Sequence, residues 1–194
     1  MTEQALSRFP VPNLAEMPDD LRARILAVQE KAGFVPNIFA VLAHRPAEFR
    51  AFFAYHDALM EKEHGLSRAE REMIVVATSA ANHCQYCVVA HGALLRIYSK
   101  KPLLADQVAI NCKQAELSQR ERAMLDFALR VATSAETLET SDLEALRRQG
   151  FSDDEIWDIG AIAAFFALSN RMASLTGLWA NPEFYLMGRL PRQA

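Results

Sequence analysis

The sequence predicts an all-α fold. Three observations lead there. Glycine and proline are sparse, at 7 and 8 of 194 residues. Apolar residues recur mostly at helical spacing, and β-branched alternation is rare. Ser-x-x-Glu capping boxes open three stretches, at Ser67/Glu70, Ser118/Glu121 and Ser152/Glu155. In such a box the serine oxygen accepts an early helical N–H and the glutamate reaches back to the serine N–H.

The elements follow in order. Residues 19–31 read as an amphipathic helix that ends at Gly33, followed by the turn Phe34-Val35-Pro36-Asn37. A short helix is expected over 38–43. A longer one covers 46–63, with Pro46 suited to its first turn. Ser67 caps a helix over 68–80. Its run Met73-Ile74-Val75-Val76-Ala77 is apolar nearly all round, which predicts burial. Asn82 is expected to cap the next helix, 83–99, which Lys101-Pro102 ends. The second half repeats the opening of this hairpin: Leu117-Ser118-Gln119-Arg120-Glu121 echoes Leu66-Ser67-Arg68-Ala69-Glu70 at an offset of 51 residues. A short helix over 142–149 closes at Gly150, and Ser152 caps a last long helix to about residue 178. Asn181-Pro182 then begins the tail. The expected organisation is one domain over 1–194, with an N-terminal helical arm (1–64), a central hairpin (65–101) and a second helical half (115–180).

Composition narrows the function classes. Apolar residues make up 51% and charged residues 23%, an ordinary globular balance. The net charge is −3 and the basic residues are scattered, so nucleic acid is not an expected partner. Residues 1–12 hold no apolar signal stretch, and the longest apolar run, 160–168, falls short of the roughly 18 residues a membrane span needs. The expectation is a cytoplasmic protein with no membrane partner. In that reducing setting, a close cysteine pair points to catalysis or metal binding rather than structure.

That pair lies in His83-Cys84-Gln85-Tyr86-Cys87-Val88-Val89-Ala90-His91. On one helix Cys84, Cys87 and His91 fall within roughly 60° of one another. Near the helix start, unpaired N–H groups and the dipole favour a thiolate at Cys84. His91 is one turn beyond Cys87, in reach of its proton. A CxxC pair that closes into a disulfide can reduce a peroxide without a bound cofactor. Glu72 faces Val75, Val76 and Ser79, so it is a carboxylate on an apolar stripe that needs a partner. If the chain reverses near Asn82, Glu72 can polarise His91. The repeat acts as a control: at the same offset Glu72, Cys84, Cys87 and His91 become Ala123, Ala135, Leu138 and Asp142, while the cap is kept.

Other residues read as structural. Tyr86 points away from the cysteines and is expected to pack. Cys112 stands alone, and His44, His56 and His64 follow no ligand spacing. Phe165, Phe166 and Trp157 suit a core or a subunit interface. Zinc is the main rival to redox chemistry: Cys84, Cys87 and His91 offer three ligands, with Glu72 or His83 needed as a fourth.

Glu72, eleven intervening residues, Cys84-x-Tyr86-Cys87 and then x3-His91 resembles the active-site signature of the alkylhydroperoxidase D-like (AhpD-like) branch of the carboxymuconolactone decarboxylase family. Gly33-Phe34-Val35-Pro36-Asn37 and the tail Met187-Gly188-Arg189 resemble a peroxidase-related subgroup. The resemblance implies an AhpD-like helical bundle that forms homo-oligomers, with no cofactor beyond a redox-active disulfide, Cys84–Cys87. It implies that Cys87 meets the peroxide, that Cys84 resolves, and that Glu72, His91 and water relay protons. It also implies an external dithiol or lipoyl-type reductant. The decarboxylase branch lacks this pair, so decarboxylation is a poor expectation. A general thiol-disulfide reductase and a helical assembly or zinc-binding protein are the alternatives.

Overall fold

The computed structural model describes residues 5–189. Its helices are α1 (Asp19–Ala32), α2 (Asn37–Leu42), α3 (Pro46–Met60), α4 (Arg68–Ala81), α5 (Gln85–Ser99), α6 (Leu104–Asn111), α7 (Gln119–Ser134), α8 (Thr140–Arg148), α9 (Asp153–Thr176) and α10 (Pro182–Leu186), joined by turns and short 3-10 segments. There is no strand among the described residues.

All three capping boxes form. The glutamates reach the serine N–H groups at 2.8, 2.7 and 2.8 Å, which starts α4, α7 and α9. Arg120 ties these starts together: it bridges Glu70 and Glu155 and lies 3.7 Å over the Phe151 ring.

α4 is the central helix. Every residue from 71 to 79 is buried, against α5, α6, α7 and α9. The main core gathers Ile74, Val75, Leu95, Met124, Ile159 and Phe166 from these elements. α9 is long and apolar enough, by length and composition, to cross a membrane. Here it packs on α3, α4, α5 and α7, and three acids stand in its first turn, Asp153, Asp154 and Glu155. Its apolar character serves the core.

The second copy of the repeat keeps only its first helix. α7 packs beside α4, but a 3-10 turn and the short α8 follow it where α5 follows α4.

Residues before α4 build a smaller core of their own, with Leu21, Ile25, Phe49 and Phe53, and Phe39 stacked 4.2 Å from Phe53. α3 ends at Met60 rather than at residue 63. The cause is Arg71, whose buried guanidinium donates to the carbonyls of Met60, Lys62 and His64 and draws that segment out of helix.

Two helices escaped the sequence reading. α6 is only eight residues long and begins directly behind the Lys101-Pro102 stop. α10 is five residues long, with Pro182 in its first turn.

The Asn82 expectation needs correction. Asn82 ends α4 instead of starting α5. The Cys84 N–H donates to Ser79 O at 2.9 Å and the His83 N–H to Ala80 O at 3.0 Å, with His83 left-handed at φ 55°. That is a Schellman closure, with His83 where glycine is usual. The N-cap of α5 is therefore Cys84.

The tail locks the opposite side of this reversal. Asn181 accepts the Asn37 N–H at 2.8 Å and donates to Val35 O at 3.0 Å, while Asn37 donates to Trp179 O at 2.9 Å. Buried Arg96 donates to the carbonyls of Met187 and Phe184, both at 2.8 Å. Gly188 has φ 72°, and a Cβ there would lie 2.8 Å from Arg96 Cβ. The turn at 33–37 thus meets residues 179–181, and the tail at 187–189 packs against Arg96 and Ile97 in the last turn of α5.

Arg71→Ala is expected to lower unfolding free energy by about 3 kcal/mol, because three carbonyls lose a buried cationic donor. Arg68→Ala, at an exposed position in the same turn, should cost less than about 0.5 kcal/mol. Urea denaturation of both variants checks the contrast.

Candidate active site

The reversal at residues 82–84 makes α4 and α5 near neighbours, and it carries the four candidate residues with it. Glu72 lies on α4, Cys87 and His91 on α5, and Cys84 at the α5 N-cap. Helical phasing therefore applies to Cys87 and His91, four residues apart on one face. Cys84 joins them through the cap instead.

Glu72 is 4% exposed, a burial that a lone carboxylate does not tolerate. Its partner is His91, with Nδ1 2.7 Å from Glu72 Oε2. With Nδ1–H donated to the carboxylate, Nε2 is the ring nitrogen left to take or give a proton. Phe166 meets the imidazole edge-on at 4.7 Å and fixes its plane.

Both cysteines are buried and unbonded to each other, at 2% and 1% exposure. Cys84 Sγ accepts the Cys87 backbone N–H at 3.4 Å. The Cys87 thiol donates to Cys84 and is the largest influence on it. With the backbone N–H, Asn170 and the charge of His91 it outweighs burial and brings the Cys84 thiol down to about 7. Cys87 moves the other way. The neighbouring Cys84 sulfur and burial push its thiol well above the ordinary value, although Asn170 and Ser169 oppose them. In the reduced pair the anion belongs on Cys84 and the proton on Cys87.

Four polar residues around the pair were not singled out for this role by sequence reasoning. Cys87 Sγ lies 4.0 Å from Ser169 Oγ. Asn170 donates to Ser79 Oγ at 2.9 Å and accepts from Asn82 at 3.0 Å, which fixes its amide beside the sulfurs. The signal was present as Ser169-Asn170, a polar pair inside an otherwise apolar stretch of α9.

The remaining candidates lie elsewhere or pack. Tyr86 is buried, its hydroxyl accepting the Ile38 N–H at 3.4 Å, and burial pushes its phenol up. His83 is exposed beside Cys84. Phe165 and Phe166 are buried, whereas Trp157 is largely in solvent. Cys112 sits at the end of α6. Cys84, Cys87 and His91 do not converge on a common point: among the described residues no three His, Cys, Asp or Glu side chains are placed to share a metal ion.

Removing a donor from a thiolate raises its pKa, because only the charged form loses the bond. Alkylation of Cys84 by iodoacetamide is expected to rise with pH around a midpoint of about 7. In Asn170→Ala that midpoint should move up by about one unit. An unmoved midpoint removes Asn170 from the site.

Comparison with known proteins adds relatives to this geometry. The model of the carboxymuconolactone decarboxylase family matches residues 46–102, which contain Glu72, both cysteines and His91. A crystal structure of an alkylhydroperoxidase AhpD core, an uncharacterised peroxidase-related protein from Ralstonia eutropha JMP134, is 65% identical, with a TM-score of 0.96 over 98% of this chain and 100% of that one. A peroxidase-related protein from Silicibacter sp. TM1040 is 38% identical, with a TM-score of 0.91 over 97% of this chain and 99% of that one. A debrominase solved with 2,3,4-tribromopyrrole shares the fold alone, at 18% identity and a TM-score of 0.73 over 94% of this chain and 95% of that one. No functionally curated protein matches the chain. With its all-α bundle and this signature, the chain belongs to the carboxymuconolactone decarboxylase family, among its AhpD-like, peroxidase-related members.

Proposed function

We propose that the protein is a thiol-dependent peroxidase, reducing organic hydroperoxides or hydrogen peroxide with the electrons of Cys84 and Cys87. The observation that carries the reading is the buried Glu72–His91 pair, one turn from a cysteine pair whose two thiols differ in proton affinity. Peroxide attack needs one thiolate and one thiol that can still give up a proton. The relatives described as peroxidase-related support it.

In this reading one sulfur becomes a sulfenic acid as the peroxide O–O bond breaks, and the other displaces its oxygen as water to form the Cys84–Cys87 disulfide. His91, held by Glu72, takes the proton of the second thiol and returns it to the departing oxygen. An external dithiol, of lipoyl type or otherwise, restores both thiols by exchange. No further cofactor enters the cycle. Such a cycle suits a reducing compartment, and we place the protein in the cytoplasm on that ground. A homo-oligomer is also part of the proposal. It is supported by Leu168 and Leu175 of α9 and Tyr55 of α3, apolar side chains left exposed along one groove.

The disulfide reductase reading has support of its own in the Cys84 thiol near 7, which suits exchange as well as peroxide attack. Turnover separates the two. With dihydrolipoamide as reductant, cumene hydroperoxide should be consumed catalytically. If a model disulfide is reduced while the hydroperoxide is left intact, the reductase reading replaces the peroxidase one. Glu72→Gln should slow peroxide turnover by about 10²-fold while the chain stays folded, as judged by its far-UV circular dichroism. Wild-type turnover in that variant would detach the carboxylate from the chemistry.

A further inference from the structure

Both cysteines are buried, yet the Cys84 end of the pair borders a cavity of about 440 Å³, the size of a small-molecule site. Two walls of that cavity belong to the helical body. His83 and Tyr86 come from the start of α5, and Leu178 and Trp179 from the segment behind α9. The second of these is anchored: the Leu178 N–H donates to Ala173 O at 3.0 Å, and Trp179 O accepts from Asn37 at 2.9 Å. The third wall is of another kind. It consists of Ala5, Ser7 and Arg8, from a segment without helix ahead of α1.

That segment, residues 5–9, is held at one point. Among the described residues, every hydrogen bond that ties it to another element comes from Arg8. The Arg8 N–H donates to Thr176 O at 2.8 Å, and its guanidinium to Ser174 O at 3.0 Å and Leu175 O at 3.2 Å. A helix ends on carbonyls that lack partners and carry the negative end of its dipole, so a cationic donor suits this place. Gly177 leaves room for it. It closes α9 at φ 71°, and a Cβ there would lie 3.2 Å from Arg8 Nε. The neighbours of Arg8 make apolar contacts only. Leu6 packs on the cluster that holds both cysteines, and Phe9 lies along the groove between α3 and α9. Pro10 and Pro12 follow, and their fixed φ angles stiffen the chain behind the segment.

We propose that residues 5–9 form a strap over the cysteine pair, latched by Arg8 to the end of α9, and that this latch sorts incoming reagents by size. A small molecule enters the cavity with the strap seated. A larger disulfide or dithiol reaches the sulfurs only when Arg8 releases the α9 carbonyls and the third wall swings out. Segments held by exposed hydrogen bonds and few buried contacts open locally at far lower free energy than the whole chain unfolds. The consequence for turnover rests on the thiol-redox reading: the strap then decides which exchange partner can serve the pair. The gate itself requires no turnover.

Two neutral maleimides of unequal size test it, N-ethylmaleimide and N-(1-pyrenyl)maleimide, which form the same thioether. Adducts are counted by mass spectrometry on the peptide that contains Cys84 and Cys87, which sets Cys112 aside. In the folded, reduced full chain the pyrenyl reagent should lag the ethyl reagent by at least about tenfold more than it does in the guanidinium-unfolded chain. Arg8→Ala should raise the pyrenyl rate about tenfold and leave the ethyl rate within about twofold. Arg171→Ala is the control. It removes another exposed arginine of α9, which donates to Ala167 O at 2.7 Å away from the cavity, and it should change neither rate. A folded wild-type chain without the lag overturns the proposal, whatever becomes of Arg8→Ala. So does an unchanged pyrenyl rate in Arg8→Ala, an equal rise for both reagents, or the same rise in Arg171→Ala. Maleimide addition uses no peroxide, so a chain inert to every peroxide strikes the peroxidase reading and not the gate.

Discussion

The site depends on the reversal between α4 and α5. Two backbone hydrogen bonds, from Cys84 to Ser79 and from His83 to Ala80, end one helix within three residues of the start of the next. Because the turn is this short, α5 runs back alongside α4, and a carboxylate nine residues before the end of α4 meets an imidazole ten residues after it. A longer loop would leave that register free. Glu72 would then be a buried charge without a partner, a state that costs several kcal/mol. The turn and the Glu72–His91 hydrogen bond therefore stabilise each other.

The same turn separates the cysteines electrostatically. Two thiols of one type, three residues apart, would titrate alike in an unfolded chain. Placing Cys84 at the N-cap turns its sulfur into a capping acceptor, served by a backbone N–H, by the Cys87 thiol and by Asn170. Cys87, inside the helix, becomes a donor in a buried setting. Charge on the first sulfur opposes charge on the second. Such a pair holds one ready thiolate and one proton in reserve, the state a two-step thiol oxidation starts from. The arrangement is built mainly from backbone geometry and neutral donors, with the charge of His91 as a lesser contribution.

Much of this was legible in the sequence for identifiable reasons. The three capping boxes announce their helices because serine and glutamate at that spacing satisfy N–H groups locally, and all three form. Glu72 could be separated from Glu70 because the repeat keeps Glu70 as Glu121 and replaces Glu72 by Ala123. Asn82 misled because asparagine serves either helix end, and the choice was made by the Schellman bonds, which leave no mark in residue type when His83 fills the glycine position. α6 and α10 were missed because each is too short for apolar periodicity to show. Ser169 and Asn170 were missed because their role appears only when α9 crosses α5, a contact between residues more than eighty positions apart.

The family resemblance and the local geometry point to the same four residues, Glu72, Cys84, Cys87 and His91. Both depend on one premise, that Cys84 and Cys87 exchange electrons as a pair while Cys112 stands aside at the end of α6. The most direct test is peptide mapping of the fully reduced chain after one equivalent of peroxide under anaerobic conditions. The account predicts a peptide containing a Cys84–Cys87 disulfide, lighter by two hydrogens, with Cys112 still a free thiol. Oxidation confined to Cys112, or a Cys84–Cys87 pair that stays reduced while peroxide is consumed, would contradict it.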